Sequence, residues 1–62
     1  MEANGSKSYC INGNLHREGG PAVVREDGFT AYYKNDKLHR EDGPAIEWNG
    51  YAEWWINGIR LR

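Results

Sequence analysis

The chain has a single cysteine, Cys10, and that scarcity removes two ways of holding a small protein together. No disulfide can form within one chain, and an unpaired thiol suits a reducing cytosol better than secretion. The only further imidazole or soft ligands are His16 and His39, without the paired short spacings of a structural zinc site, so no metal and no cofactor is expected. Charge of one sign is lacking as well. Eight Lys and Arg face nine Asp and Glu for a net charge of −1, which leaves no cationic field to hold a nucleic-acid backbone. Long apolar runs are missing: residues 1–7 have neither a basic nor an apolar signal-type stretch, and nothing approaches the roughly eighteen apolar residues of a spanning helix. A soluble, cytoplasmic chain without a membrane partner is the expectation. Asn4-Gly5-Ser6 fits a glycosylation acceptor, but so short a pattern recurs by chance and needs a secretory context that nothing here supports.

Large apolar side chains are also few. Sixty-two residues carry nineteen of them, counting Val, Ile, Leu, Met, Phe, Trp, Tyr and Cys, enough for one small core and no second domain. A chain this short gains little from burial beyond the cost of ordering itself. Self-association is the remaining source of stability, and a two-fold homodimer is the expected assembly.

What is present is an internal repeat. Leu15-His16-Arg17-Glu18-Gly19-Gly20-Pro21-Ala22 returns as Leu38-His39-Arg40-Glu41-Asp42-Gly43-Pro44-Ala45, seven of eight identical at a shift of 23. Tyr9-Cys10-Ile11-Asn12-Gly13 answers to Tyr32-Tyr33-Lys34-Asn35-Asp36 and, after one deleted residue, to Trp54-Trp55-Ile56-Asn57-Gly58. The units are residues 9–31, 32–53 and a half unit 54–62, preceded by a loose tail, 1–8. Within each unit, short β-branched and aromatic runs alternate with pairs that tolerate positive φ: Asn12-Gly13, Asp27-Gly28, Asn35-Asp36, Asn49-Gly50 and Asn57-Gly58. Each pair predicts a tight type I′ hairpin. Gly20-Pro21 and Gly43-Pro44 mark the other reversals, where a proline at a strand start loses no ladder bond. Strands are predicted over 7–11, 14–17, 22–26, 29–34, 37–40, 45–48, 51–56 and 59–61. No stretch carries a helical apolar stripe, so the fold class is all-β, an antiparallel meander of short hairpin repeats curled over a small core.

Alternation along the strands places aromatics on both faces. Trp48, Trp54 and Trp55 all lie in the C-terminal half. The last copy of the aromatic pair, Trp54-Trp55, exceeds what Tyr9-Cys10 and Tyr32-Tyr33 show the fold to need. Tryptophan is enriched at binding hot spots, so Trp48, Tyr51, Trp54 and Trp55 with Arg60 are the candidate protein-binding residues; filling of a thin core is the competing reading. The final strand is also a sheet edge, which Arg60 and Arg62 would blunt.

The triplets His16-Arg17-Glu18 and His39-Arg40-Glu41 place an imidazole near a carboxylate, as general acid–base chemistry requires. No nucleophile sits at a matching position in both units, and short strands offer no deep pocket. A feature that recurs with the repeat also serves to maintain it. The triplets are therefore expected to be structural and the chain non-catalytic: His16 and His39 bond the backbone of the Glu-Gly-Gly-Pro and Glu-Asp-Gly-Pro turns, while Arg17 and Arg40 pair with carboxylates or stack on rings.

Blocks of the form aromatic-aromatic-x-Asn-Gly-x-Leu-His-Arg-Glu-Asp-Gly-Pro-Ala, carried by Tyr32 to Ala45 and nearly by Tyr9 to Ala22, resemble a repeat common in phage and large DNA virus proteins and are loosely similar to MORN-type hairpin repeats. The likeness covers most of residues 9–58. It implies a hairpin-repeat sheet and a viral or prophage source, not an activity; Asp36 in place of Gly and the residue missing from the second unit depart from the pattern. A short chain made of little besides this repeat also resembles the small anti-defence inhibitors with which phages bind a bacterial immune protein, among them inhibitors of the Hachiman helicase–nuclease system. A protein-binding inhibitor acting on a host defence protein in the host cytoplasm is what that likeness implies. A carbohydrate or cell-wall binder, which aromatic-Asn-Gly hairpins also resemble, and a sheet stacking single-stranded nucleic acid on Trp and Tyr are the alternatives.

Overall fold

The Asn-Gly pairs do what their chemistry allows, and the architecture follows from them. In the computed structural model, which describes residues 6–62, four pairs have both residues at positive φ: Asn12 (53°) and Gly13 (80°), Asn35 (52°) and Asp36 (69°), Asn49 (52°) and Gly50 (84°), and Asn57 (49°) and Gly58 (80°). These are the backbone angles of type I′ turns, whose twist matches that of the strands they join. The fifth pair departs from expectation. At Asp27-Gly28 only Gly28 is left-handed, at 95°, and Arg25 N–H donates to Phe29 C=O while Gly28 N–H donates back to Arg25 C=O. That is a longer hairpin loop with a glycine bulge; the extra residue here is the one missing from the corresponding Asn49-Gly50 turn.

The protein is all-β and antiparallel, with eleven short strands among the described residues: β1 (Lys7–Ser8), β2 (Cys10–Ile11), β3 (Asn14–Leu15), β4 (Val23–Val24), β5 (Thr30–Ala31), β6 (Tyr33–Lys34), β7 (Lys37–Leu38), β8 (Ile46–Trp48), β9 (Tyr51–Glu53), β10 (Trp55–Ile56) and β11 (Ile59–Arg60). Five form one sheet in the order β1-β4-β5-β8-β9, and the rest form three hairpins, β2-β3, β6-β7 and β10-β11. The three long strands predicted over 7–11, 29–34 and 51–56 are each divided in two. The break falls on Tyr9, Tyr32 and Trp54, the same repeat position, where the chain leaves the central sheet for a hairpin. Within the stretch 1–8 assigned to a tail, Lys7 pairs with Val24 and Ser8 with Val23, as the strand predicted from residue 7 requires; residues 1–5, and with them part of the Asn4-Gly5-Ser6 pattern, lie outside the described residues.

The break has a backbone reason. Tyr9 N–H donates to Ala22 C=O and Tyr32 N–H to Ala45 C=O, closing the central sheet, while Tyr9 C=O accepts from His16 N–H and Tyr32 C=O from His39 N–H, opening the hairpin. Tyr9 and Tyr32 thus each serve both arrangements, whereas Trp54 turns both groups to its own hairpin, donating to Arg62 C=O and accepting from Leu61 N–H. The hairpins in turn bond each other: Arg17 N–H donates to Tyr33 C=O and Arg40 N–H to Trp55 C=O, so the molecule is a sheet flanked by a column of stacked hairpins.

The core sits where these backbones crowd. Its only fully buried apolar side chains among the described residues are Ala22, Ala31 and Ala45. Ala22 N–H donates to Ala31 C=O, and Ala45 N–H to Glu53 C=O, so these alanines sit where the chain passes from the turns into the central sheet. With Cα extents of 34 × 31 × 16 Å, the molecule is too thin to enclose a large ring. The tryptophans therefore do not form a closed core: Trp48 is 41 % exposed, and Trp54 and Trp55 are half-buried.

Candidate functional site

The recurring octapeptide reads, in three dimensions, as a clasp between units. His16 and His39 do bond backbone, but not that of their own Glu-Gly-Gly-Pro and Glu-Asp-Gly-Pro turns, as expected from sequence. His16 Nδ1 accepts Asn35 N–H at 3.1 Å and His39 Nδ1 accepts Asn57 N–H at 3.0 Å, so each imidazole holds the hairpin turn of the next unit. The reason is geometric: a type I′ turn leaves the N–H of its first central residue facing outward, and the preceding return strand lies beside it. Acceptance at Nδ1 requires the proton on Nε2, which faces Glu18 Oε2 in one unit and Glu41 Oε2 in the other, both at 3.4 Å. The nitrogen a general base would use is thus committed to a backbone bond.

Arg17 and Arg40 behave as anticipated. Their guanidinium groups lie over the pivot rings Tyr9 and Tyr32 at 4.0 and 4.1 Å from the centroids and donate to Pro21 C=O and Pro44 C=O at 3.3 and 3.1 Å. Arg40 also reaches Asp42 Oδ1 at 3.1 Å, where the first unit has Gly19 instead. The glycine before each proline makes room for this arrangement: a Cβ on Gly20 would stand 3.3 Å from Arg17 Cζ, and one on Gly43 2.8 Å from Arg40 Cζ. With the tyrosine six residues before it, Leu-His-Arg-Glu-x-Gly-Pro-Ala therefore encodes a stacked ring, a roofing guanidinium and a clasped turn. Asp36, the departure from Gly in the second hairpin, has a role of its own, since its Oδ1 accepts Leu15 N–H at 3.1 Å.

Between the two loops runs an open groove of about 430 Å³ lined by Arg17, Glu18, Tyr32, Tyr33, His39, Arg40 and neighbouring residues. Arg17, Glu18, His39, Arg40, Glu41 and Asp42 in its lining are already engaged in the clasp contacts above. Among the described residues, no three His, Cys, Asp or Glu side chains are placed to hold a metal ion, and no helix is long and apolar enough to cross a membrane.

The C-terminal corner is built differently, and it gathers four of the five residues proposed from sequence. Trp48 and Tyr51 are cross-strand partners beside the Asn49-Gly50 turn, and Trp55 is paired with Arg60 in the last hairpin. Between the two pairs stands Glu53, which sequence reasoning missed. Its carboxylate accepts the Tyr51 hydroxyl on Oε2 and Trp55 Nε1–H on Oε1 at 2.8 Å, with Arg60 Nη1 at 3.8 Å from Oε2. The hydrogen bonds from Tyr51 and then Trp55, with the charge of Arg60, hold the Glu53 carboxyl below its ordinary range; the same bond to Glu53 pushes the Tyr51 phenol up. A signal was available in the repeat: Glu53 stands where the preceding copy has the buried Ala31, an unexplained acid at a small-residue position. Trp54, the fifth candidate, lies apart. It is the pivot ring of the last unit, roofed by Arg62 at 4.9 Å as Tyr9 is by Arg17.

Comparison with protein-family models, with curated proteins and with solved structures gives no match.

Proposed function

We propose that this chain is a non-catalytic protein-binding module, a phage-type anti-defence protein that docks a bacterial immune protein through its C-terminal end. One observation carries the reading: where earlier copies of the repeat are polar, the last ones are apolar and exposed. Trp48 takes the place of Arg25, Ile59 that of Asn14 and Lys37, and Leu61 that of His16 and His39. With Tyr51, these are four of the five large exposed apolar side chains among the described residues, at 41, 66, 60 and 50 % exposure for Trp48, Ile59, Leu61 and Tyr51. The fold does not ask for an apolar side chain at position 48, since the equivalent place in the first unit is filled by Arg25, stacked on Phe29 at 4.7 Å. Exposed aromatics rimmed by polar groups mark interaction surfaces. Glu53 supports the same reading by anchoring Tyr51 and Trp55, which lowers the cost of fixing those side chains on docking.

The test is phage plating on bacteria carrying the Hachiman helicase–nuclease. Expression of the chain restores plaques, and the variant carrying Trp48→Ala and Tyr51→Ala, checked to be folded, does not. Protection that persists in the presence of the wild-type chain overturns the proposed target; a folded double variant that still restores plaques overturns the proposed surface.

A further inference from the structure

The hairpin column is complementary to itself along its stacking axis. At the first internal junction Leu15 C=O accepts Asp36 N–H at 2.8 Å, His16 Nδ1 accepts Asn35 N–H at 3.1 Å, and Arg17 N–H donates to Tyr33 C=O at 3.2 Å. The second junction repeats this with Leu38 to Gly58 at 2.8 Å, His39 to Asn57 at 3.0 Å and Arg40 to Trp55 at 3.0 Å. A return strand thus presents a carbonyl, an imidazole acceptor and an N–H, and the next hairpin presents two N–H groups and a carbonyl. The two ends of the column keep halves of the same pattern. On the first hairpin the receiving groups are Gly13 N–H, Asn12 N–H and Cys10 C=O, which no bond between units engages among the described residues. On the last, the presenting positions are Arg60 C=O, the Leu61 side chain and Arg62 N–H.

We infer that the outer edge of the first hairpin is a docking edge for the last hairpin of a second copy, in the register of the internal junctions, and that Leu61 keeps this head-to-tail contact weak by withholding the imidazole acceptor. Two of the three bonds are available and the third is replaced by a side chain that cannot accept. Packing gives no reason for the replacement: the histidine side chains at the equivalent positions are 12 % exposed, whereas Leu61 is 60 % exposed. Restraint has a clear reason. A head-to-tail contact does not close on itself, so at full strength it generates filaments, and natural proteins blunt edges of this kind. The occupant is a second copy because the register, the polarity of each group and the spacing are those the chain already uses twice within itself. The contact shares Leu61 with the docking surface proposed above but needs neither Trp48 nor Tyr51, so Trp48→Ala with Tyr51→Ala leaves it unchanged.

The experiment is sedimentation velocity over a concentration series on the full chain, with folding of each variant checked by tryptophan emission. The wild type shows weak, concentration-dependent association, and Leu61→His, which restores the acceptor for Asn12 N–H, tightens it on the order of tenfold and yields species larger than dimers. Leu61→Lys, which supplies a side chain of similar reach but no acceptor, associates no more tightly than the wild type. A folded Leu61→His variant with unchanged association overturns the inference, as does a Leu61→Lys variant that associates as tightly as Leu61→His.

Discussion

Replacing Gly43 by Ala tests the clasp at its tightest point. The new Cβ would lie 2.8 Å from Arg40 Cζ and 3.1 Å from Nε, closer than real Cβ contacts allow, and Gly43 does not have positive φ, so backbone strain plays no part. The guanidinium, being the end of a flexible side chain, moves, and the cost is what it loses. Its stacking on Tyr32 at 4.1 Å and its bond to Pro44 C=O at 3.1 Å are worth roughly 0.5–1 and 1.5 kcal/mol for a half-buried cation. The ion pair with Asp42, whose side chain is 89 % exposed, adds little. Against this, alanine restricts the unfolded chain and returns about 0.5 kcal/mol. A net destabilisation of about 1.5 kcal/mol is expected, a fall in Tm of several degrees for a domain this small. Gly20→Ala, whose Cβ meets Arg17 Cζ at 3.3 Å, needs only a slight shift and should cost about 0.5 kcal/mol or less. The assay is denaturant unfolding followed by tryptophan fluorescence, run as a double-mutant cycle with Arg40→Ala. In the Arg40→Ala background, Gly43→Ala should become neutral or stabilising. A cost that persists there, or a Gly43→Ala variant no worse than Gly20→Ala, refutes the view that these glycines exist to admit the guanidinium.

His39→Ala should lower stability by about 1–2 kcal/mol through the unpartnered Asn57 N–H; in the wild type that amide should exchange more slowly than Asn49 N–H, which no histidine clasps, and the variant should abolish the difference, so equal rates in the wild type would remove the clasp. Glu53, with its carboxyl pKa lowered on folding, contributes stability that is present above its unfolded pKa and lost as pH falls through the lower folded value, while Tyr51, with its phenol pKa raised, contributes stability present below about pH 10 and lost on going more alkaline. Unfolding measured from neutral to acid pH should therefore show a decline below about pH 4.5 that is shallower in Glu53→Gln, and identical profiles would discount the Tyr51–Glu53–Trp55 cluster.

The repeat, its all-β class and four of its five type I′ turns were legible from residues alone, because positive φ at Asn-Gly and Asn-Asp pairs is a local property that needs no distant partner. Stacking of Arg17 and Arg40 on rings was likewise foreseeable, since a guanidinium and an aromatic recur together in each unit. Tertiary structure decided the rest. Tyr9 and Tyr32 look like ordinary strand residues, and only the meeting of sheet and hairpin makes each of them a break, its N–H bonded to the sheet and its C=O to the hairpin. The imidazoles reach 19 and 18 residues along the chain to Asn35 and Asn57, a pairing set by how units stack rather than by the turn that follows each histidine. Glu53 was passed over because strand alternation sorts faces but cannot say that the Tyr51 hydroxyl and the Trp55 indole N–H, two residues to either side, converge on one carboxylate. Sequence thus determined where the chain turns, which is settled within two residues, and the assembled sheet and hairpin column determined what each recurring side chain holds.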